Sequence, residues 1–435
     1  ILDNKDNNIE NGKWTAQVEV GGKKQSVEIW IDTIAPTCTI TAEPDKNPTN
    51  ADSITFTLKN EDLSGLVSDI DYSKLENIIT VTDKNNNKLE NGSDVTWDWI
   101  ENENKNNKVK FTINKDDFEG NIKITIPAGT LTDNAGNKSE EVTKEVKIDK
   151  KAPTCTITAN PDKNPTNASS IVYTFKWSEE VTGFTTEDIT VTNGTKGIFT
   201  AKSATEYTLA VTTQANQNNT QTINVAAGKC KDIAENGNIA VNKEVKIDRV
   251  TPTCTITANP DKNPTNASSI TYTFTWSEEV TGFTTEDITV TNGTKGTFTK
   301  TSGTVYTLVV TTAAKQDNTQ KVVINTNVCT DVVGNGNIAT SKEVKIDRKA
   351  PPATSCEVKN ITATGYDVYV YGVTDSTGVD RVLFPTWTQN NGQDDIQANW
   401  WETTNDTAKG ENLGNGTWHY RVNVTDHKNE YGTYT

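Results

Sequence analysis

The sequence predicts an all-β chain of sandwich domains in tandem, and three observations predict it. Apolar residues come in short alternating runs, such as Ile-Thr-Phe-Thr-Leu (54–58), Val-Lys-Phe-Thr-Ile (109–113) and Tyr-Thr-Leu-Val-Val (306–310). Period-two alternation in Thr, Val, Ile, Tyr and Phe marks strands buried on one face. The stretch 153–197 recurs at 252–296 with two changes, Val172 to Thr271 and Lys176 to Thr275, a period of 99 residues. The same closing strand, Lys-Glu-Val-Lys-Ile-Asp, ends each copy at 144–149, 243–248 and 342–347.

Taken in chain order, residues 14–20, Gly21-Gly22 and 27–31 read as a hairpin. A lone hairpin is marginal in water, so residues 1–33 are expected to be the last two strands of an upstream domain. Ala-Pro-Thr-Cys-Thr-Ile-Thr-Ala then opens a first copy over 34–149 and, at Ala152, a second over 150–248; a third occupies 249–347. The first copy is longer, with 117 residues from Cys38 to Cys155, and its surplus around 65–108 is rich in Asn, Lys and Asp and predicts longer loops. A divergent unit, 348–435, starts at Lys349-Ala-Pro-Pro and ends on Gly432-Thr-Tyr-Thr435, which reads as a strand cut short.

About 100 residues with roughly seven strands is the size of an immunoglobulin-like sandwich. An odd strand count takes the chain in at one end and releases it at the other. Tandem immunoglobulin-like β-sandwich domains are therefore expected to form an elongated rod, about 40 Å per domain and about 150 Å in all.

Of 435 residues, 33% are hydrophobic; 58 acids outnumber 42 bases, giving a net charge of −16. Such a surface repels phosphate backbones and anionic lipid, so nucleic acid is excluded as a partner. No apolar run approaches 18 residues, so no membrane insertion is expected within this segment. An acidic surface does suit divalent cations.

Carboxylates gather where one copy hands over to the next. Asp149 ends one closing strand, and the facing loops of the following copy hold Glu179, Glu180 and Asp232. The same set recurs as Asp248 with Glu278, Glu279 and Asp331, and as Asp32 with Glu61, Asp62 and Asp133; a sparser version is Asp347 with Asp375 and Asp426. Converging carboxylates repel, and a calcium ion with six to eight oxygen ligands relieves that repulsion and stiffens the joint. The other reading is that Asp-x-x-Gly-Asn is a tight turn and the closing Asp residues are solvated.

Cys38, Cys155, Cys254 and Cys356 share one strand position; Cys230 and Cys329 share a later one, where the first copy has Leu131. The constant separation of 75 residues suggests disulfides Cys155–Cys230 and Cys254–Cys329, each worth about 4–5 kcal/mol in the chain-entropy model. The rival reading is a small buried thiol filling the core, which Cys38 favours because it lacks a partner.

Catalysis finds little footing. The two histidines, His419 and His427, both lie in the last unit, and no phosphate loop, CxxC or HExxH occurs. Asp394 and Asp395 are adjacent and would point to opposite faces of a strand. The last unit concentrates aromatics, and Trp387, Trp400 and Trp401 are candidate glycan contacts, since exposed rings stack on sugars; a filled core is the alternative.

Two resemblances add to this reading. Ser178-Glu-Glu-Val-Thr-Gly-Phe-Thr-Thr-Glu-Asp-Ile-Thr-Val-Thr-Asn-Gly194, its copy at 277–293 and the Asn-Gly-Asn and Ile-Asp-x-x-x-Pro-Thr runs that follow resemble the bacterial Ig-like repeats of large surface adhesins, over about 35–347. Val-Tyr-Gly-Val-Thr-Asp-Ser-Thr-Gly-Val (370–379), Phe-Pro-Thr-Trp-Thr-Gln-Asn-Asn-Gly-Gln-Asp-Asp-Ile (384–396) and Gly-Thr-Trp-His-Tyr-Arg-Val-Asn (416–423) are similar to the Bsp-like repeat of Gram-positive surface and cell-wall proteins, over about 356–435. Together they imply an extracellular, non-catalytic stalk or adhesion segment on a bacterial surface. A cell-wall glycan, a host glycan or a surface protein would be its partner. The alternatives are the accessory region of a secreted cell-wall hydrolase and an Ig-like capsid or tail protein of a phage.

Overall fold

The computed structural model describes residues 11–62, 66–68, 77–100, 106–390 and 392–435. They fall into two units, Ile1–Arg249 and Val250–Thr435.

In the first unit, residues 150–248 show how the alternation builds a sandwich. Strands Cys155–Asn160, Ser170–Trp177, Glu206–Thr212 and Thr195–Ala201 lie in that order in one antiparallel sheet; Ile189–Thr192, Asn218–Val225 and Val241–Asp248 form a second. Lettered along the chain, the order is A-B-E-D against C-F-G, that of an immunoglobulin constant-type sandwich. In Ser170–Trp177 every second residue is buried, namely Ile171, Tyr173, Phe175 and Trp177. Phe184 sits at the hub of this core, with Phe175, Trp177, Phe199 and Tyr207 around it at centroid distances of 5.1–5.8 Å, all edge-on, the arrangement ring quadrupoles favour. The Asn-Pro-Thr run at 164–166 carries the chain across to the second sheet, where Thr166 bridges Ile247 in parallel.

Residues 34–149 repeat this plan. Thr37–Glu43, Ser53–Glu61, Asn106–Ile113 and Val95–Ile100 make one sheet, and Val142–Asp149, Glu119–Ile126, Ile79–Asp83 and Lys88–Leu89 the other. The extra strand Lys88–Leu89 accounts for part of the surplus length; residues 63–65, 69–76 and 101–105 of the expected long loops fall outside the described residues. Ahead of this sandwich, Gly12–Val20 pairs with Lys23–Ile31 through Gly21 and Gly22. Both have positive φ (58° and 79°), as a two-residue hairpin turn requires.

In the second unit, Cys254–Asn259, Ser269–Trp276, Val305–Thr311 and Thr294–Lys300 oppose Ile288–Thr291, Asp317–Ile324 and Thr340–Asp347 in the same strand order. The last part differs. Ser355–Thr362, Gly365–Tyr371, Thr417–Asn423 and Glu411–Gly414 make a single antiparallel sheet. One face packs Val368, Val370, Trp418 and Tyr420 against Val373, Val379, Val382 and Phe384, which come from a largely irregular segment between 372 and 410 rather than from a second sheet. Among the described residues no helix is long and apolar enough to cross a membrane.

Candidate metal centres at the repeat junctions

Each closing strand stops on an aspartate (Asp149) or one residue before it (Ile31, ahead of Asp32), because the alternation ends there and a proline follows within four residues of the aspartate (Pro36, Pro153). Proline lacks the N–H needed to extend a ladder. At Asp149 the chain turns, with Oδ1 accepting from the Lys151 amide at 3.0 Å. Glu179 stands two residues beyond the end of Ser170–Trp177, and Asp232 opens a tight turn in the same sandwich. One carboxylate oxygen of each of Asp149, Glu179 and Asp232 lies within 4.8 Å of the others. Asn236 closes the arrangement: its Nδ2 donates to Asp232 Oδ2 and to the Asp149 carbonyl, both at 2.8 Å.

Three acids this close leave an electrostatic deficit. Burial, followed by the charges of Asp149 and Asp232, pushes the Glu179 carboxyl up to about 7. Burial and then Asp232 also raise Asp149. Lys151 opposes both shifts without reversing either.

Asp32, Asp62 and Asp133 form the equivalent set ahead of 34–149, again within 4.8 Å. Asp133 is 1% exposed. Burial opposes its ionisation, but donors from Asn137, Ala135 and Gly136 outweigh burial and hold the carboxyl below its usual range. Asp32 is 8% exposed; its Oδ1 accepts from the Ile34 amide at 2.9 Å. Its Oδ2 is buried with no hydrogen-bond partner. A buried carboxylate oxygen without a donor is costly, and an ion lying among the three acids would satisfy it.

Several expected members fall outside these sets. Glu180 and Glu279 are exposed, since neighbours in an extended chain point opposite ways and Glu179 and Glu278 take the inward side. Glu61 likewise points to solvent and pairs with Lys59, leaving Asp62 to face inward. Asp248 belongs to the first unit and Glu278 and Asp331 to the second, so that set is divided between them. Asp347 and Asp375 share the Thr377 hydroxyl, 2.7 Å from each, whereas exposed Asp426 accepts from Asn423 instead. Asn137 and Asn236 were missed as joint residues. Their place in the repeated Asp-x-x-x-Asn turn was the available signal.

Family models match the bacterial Ig-like domain at residues 149–247 and 248–347 and the GBS Bsp-like repeat at 355–435. The chain is a tandem of bacterial Ig-like domains followed by a Bsp-like repeat. No curated protein matches it. Among solved structures it is similar to invasin, a bacterial integrin-binding protein, at 12% identity and TM-score 0.28, over 81% of this chain and 82% of that one. Domains A168–A170 of titin match at 10% identity and TM-score 0.23, over 72% and 100%. Three N-terminal domains of the bacteriophage RB49 outer capsid protein Hoc match at 12% and 0.24, over 72% and 99%.

Inside the Ig-like domains neither Cys155 and Cys230 nor Cys254 and Cys329 are joined by the expected disulfides. Burial in apolar surroundings pushes Cys155, Cys230, Cys254 and Cys329 up to about 12, so they pack as small hydrophobes. The first Ig-like domain makes the same point with Leu131, fully buried in the slot that Cys230 and Cys329 fill. In the Bsp-like repeat Trp401 is 61% exposed, while Trp400 and Trp387 are half-buried. The rings of Trp400 and Trp401 meet at 85° and offer no common plane. Asp394 is exposed and pairs with Lys428 at 2.6 Å. Asp395 turns inward to His427 at 3.2 Å. His427 is 1% exposed and lies 3.2 Å from the Thr386 hydroxyl on its other side, which makes this group a buried polar brace of the repeat.

Proposed function

We propose that the chain is a non-catalytic stalk and adhesion segment of a bacterial surface protein, with calcium tying each of the first two Ig-like domains to the segment before it. The observation that carries the calcium is Asp32 Oδ2, buried without a donor inside a three-acid set. Asp32, Asp62 and Asp133 would hold one ion, and Asp149, Glu179 and Asp232 another. Calcium accepts carboxylate oxygens in irregular geometry, which suits sets assembled from two successive elements of the chain. When bound, the ion supplies the positive charge these sets lack. The repetition of one handover along the chain, and membership of families of bacterial surface repeats, support a serial spacer.

Differential scanning calorimetry of the EDTA-treated chain tests this, with calcium added to about 5 mM, the range of extracellular modules. Thermal transitions should rise with calcium and not with magnesium. Asp133→Asn and Asp232→Asn should each remove the rise at one joint. A melting profile that is the same in EDTA and in calcium removes the ion from the account. The stalk stands or falls separately: deleting one Ig-like domain from the intact surface protein should shorten the reach of its tip by roughly 40 Å.

A further inference from the structure

The open face of the sheet in the Bsp-like repeat carries a site that calcium and spacing do not explain. Alternation along Gly365–Tyr371 sends Val368 and Val370 inward and leaves Asp367, Tyr369 and Tyr371 on the other side. Register then sets His419 opposite Tyr369 and Arg421 opposite Asp367, while Glu357 and Lys359 flank them from the neighbouring strand. Three rings result in a row. Tyr369 and Tyr371 are near-parallel at 12° with centroids 6.2 Å apart, and His419 follows Tyr369 at 4.8 Å.

Planar polar groups edge this row. Asp367 accepts from Asn360 at 2.8 Å and meets His419 Nε2 at 3.1 Å; Arg421 stands 3.4 Å from the same carboxylate. Glu411 reaches His419 Nδ1 at 3.6 Å and is largely exposed. Acids (Glu357, Asp367, Glu411) and bases (Lys359, Arg421, with His419) nearly cancel here, in a chain whose net charge is −16. A near-neutral patch of aromatic rings and fixed donors and acceptors suits a polyhydroxylated, uncharged ligand. The rings take the apolar face of a pyranose, and paired oxygens and guanidinium nitrogens take its neighbouring hydroxyls.

We propose that this face, with Tyr369 and Tyr371 as stacking residues and Arg421, held in place by the buried Asp367 carboxylate, as a hydrogen-bonding residue, binds an uncharged hexopyranose polysaccharide. These residues differ from the expected contacts Trp387, Trp400 and Trp401; the rings of Trp400 and Trp401 stand at 85° to each other. Lys359 lies over both tyrosine rings, 5.4 and 5.9 Å from their centroids. Among the described residues its ammonium is held by Glu357 and the Tyr371 hydroxyl, and a bound sugar takes its place. The proposal is independent of calcium and of the stalk.

The test is a glycan array probed with the full chain in EDTA, followed by titration of the best uncharged oligosaccharide. Probes include oligomers of β-linked N-acetylglucosamine and glucose, with sialylated and sulfated glycans for contrast. Uncharged members should bind. Tyr369→Ala and Tyr371→Ala should weaken binding roughly tenfold or more, Lys359→Ala should retain or improve it, and Trp401→Ala should leave it unchanged. Melting curves confirm that each variant is folded; Tyr369→Phe, which keeps the ring, should bind like the parent. Binding confined to charged glycans, loss on Trp401→Ala instead of the tyrosine changes, or no uncharged ligand on the array overturns the proposal.

Discussion

Asn236 reaches across a joint: its Nδ2 donates to the main-chain carbonyl of Asp149, 2.8 Å away, while the same amide holds Asp232 Oδ2 at 2.8 Å. One side chain therefore fastens the end of the first Ig-like domain to a turn of the second. Asn236→Ala leaves both acceptors part-buried without this donor, at a cost of about 1–3 kcal/mol. The transition of the second domain should fall by several degrees in calorimetry, at roughly 4–8 °C per kcal/mol for a domain of this size. An unchanged transition would mean that the joint does not depend on this amide.

The raised Glu179 carboxyl gives the metal-free chain a pH dependence of definite sign. The folded state holds this proton up to about 7, whereas an unfolded glutamate releases it near the ordinary value of 4.5. Folded protein thus binds more protons between these limits, and stability falls as pH rises through that window. Asp149 is shifted the same way. Melting temperatures in EDTA should decline from pH 5 to pH 7.5, and Glu179→Gln should flatten the decline. A profile that rises with pH in the Glu179→Gln-sensitive transition contradicts the shift.

Glu235 adopts φ 77° where the equivalent positions of the other two Ig-like domains have Gly136 (92°) and Gly334 (102°). A side chain in the left-handed region is disfavoured, and its ion pairs with Lys46 at 2.6 Å and Lys231 at 3.6 Å are solvent-exposed and weak. Glu235→Gly should therefore raise the melting temperature by roughly 4 °C, while Glu235→Ala, which loses the ion pairs and keeps a Cβ, should not. Equal destabilisation by both changes would show that the ion pairs dominate.

Thiol chemistry separates packing from cross-linking. With four thiols pushed to about 12 by burial and Cys38 also buried, only exposed Cys356 should react quickly with a thiol reagent in the native chain at pH 8, since the thiolate is the nucleophile. Unfolding without reductant should expose all six. A count of two would mean that Cys155–Cys230 and Cys254–Cys329 are bonded after all.

Much of this was legible without coordinates. The 99-residue period, the alternating runs and the closing Asp-ended strand depend only on local pattern, so the all-β class, the repeated sandwich and the handover acids could be read directly. Asp32, Asp133, Asp149 and Asp232 were found because each recurs at a fixed place in a repeat. Less legible was which of two adjacent acids turns inward. Glu179 and Glu180 differ by one step of the chain, and only the direction in which Ser170–Trp177 leaves its sheet separates them. The cysteines are hard to read for a related reason: constant spacing between buried positions is what a shared core slot produces as readily as a disulfide.

By itself the sequence determined the period, the alternation and the acidity of the joints, because each is a property of residues near one another in the chain. Only the tertiary structure decided that Asn236 would clamp Asp149, that Asp32 Oδ2 would be buried without a donor, and that His419 would complete a row with Tyr369 and Tyr371. Those relationships join residues 32 to 133, 149 to 236 and 369 to 419. Strand register and the packing of successive elements set them, and no local pattern encodes either.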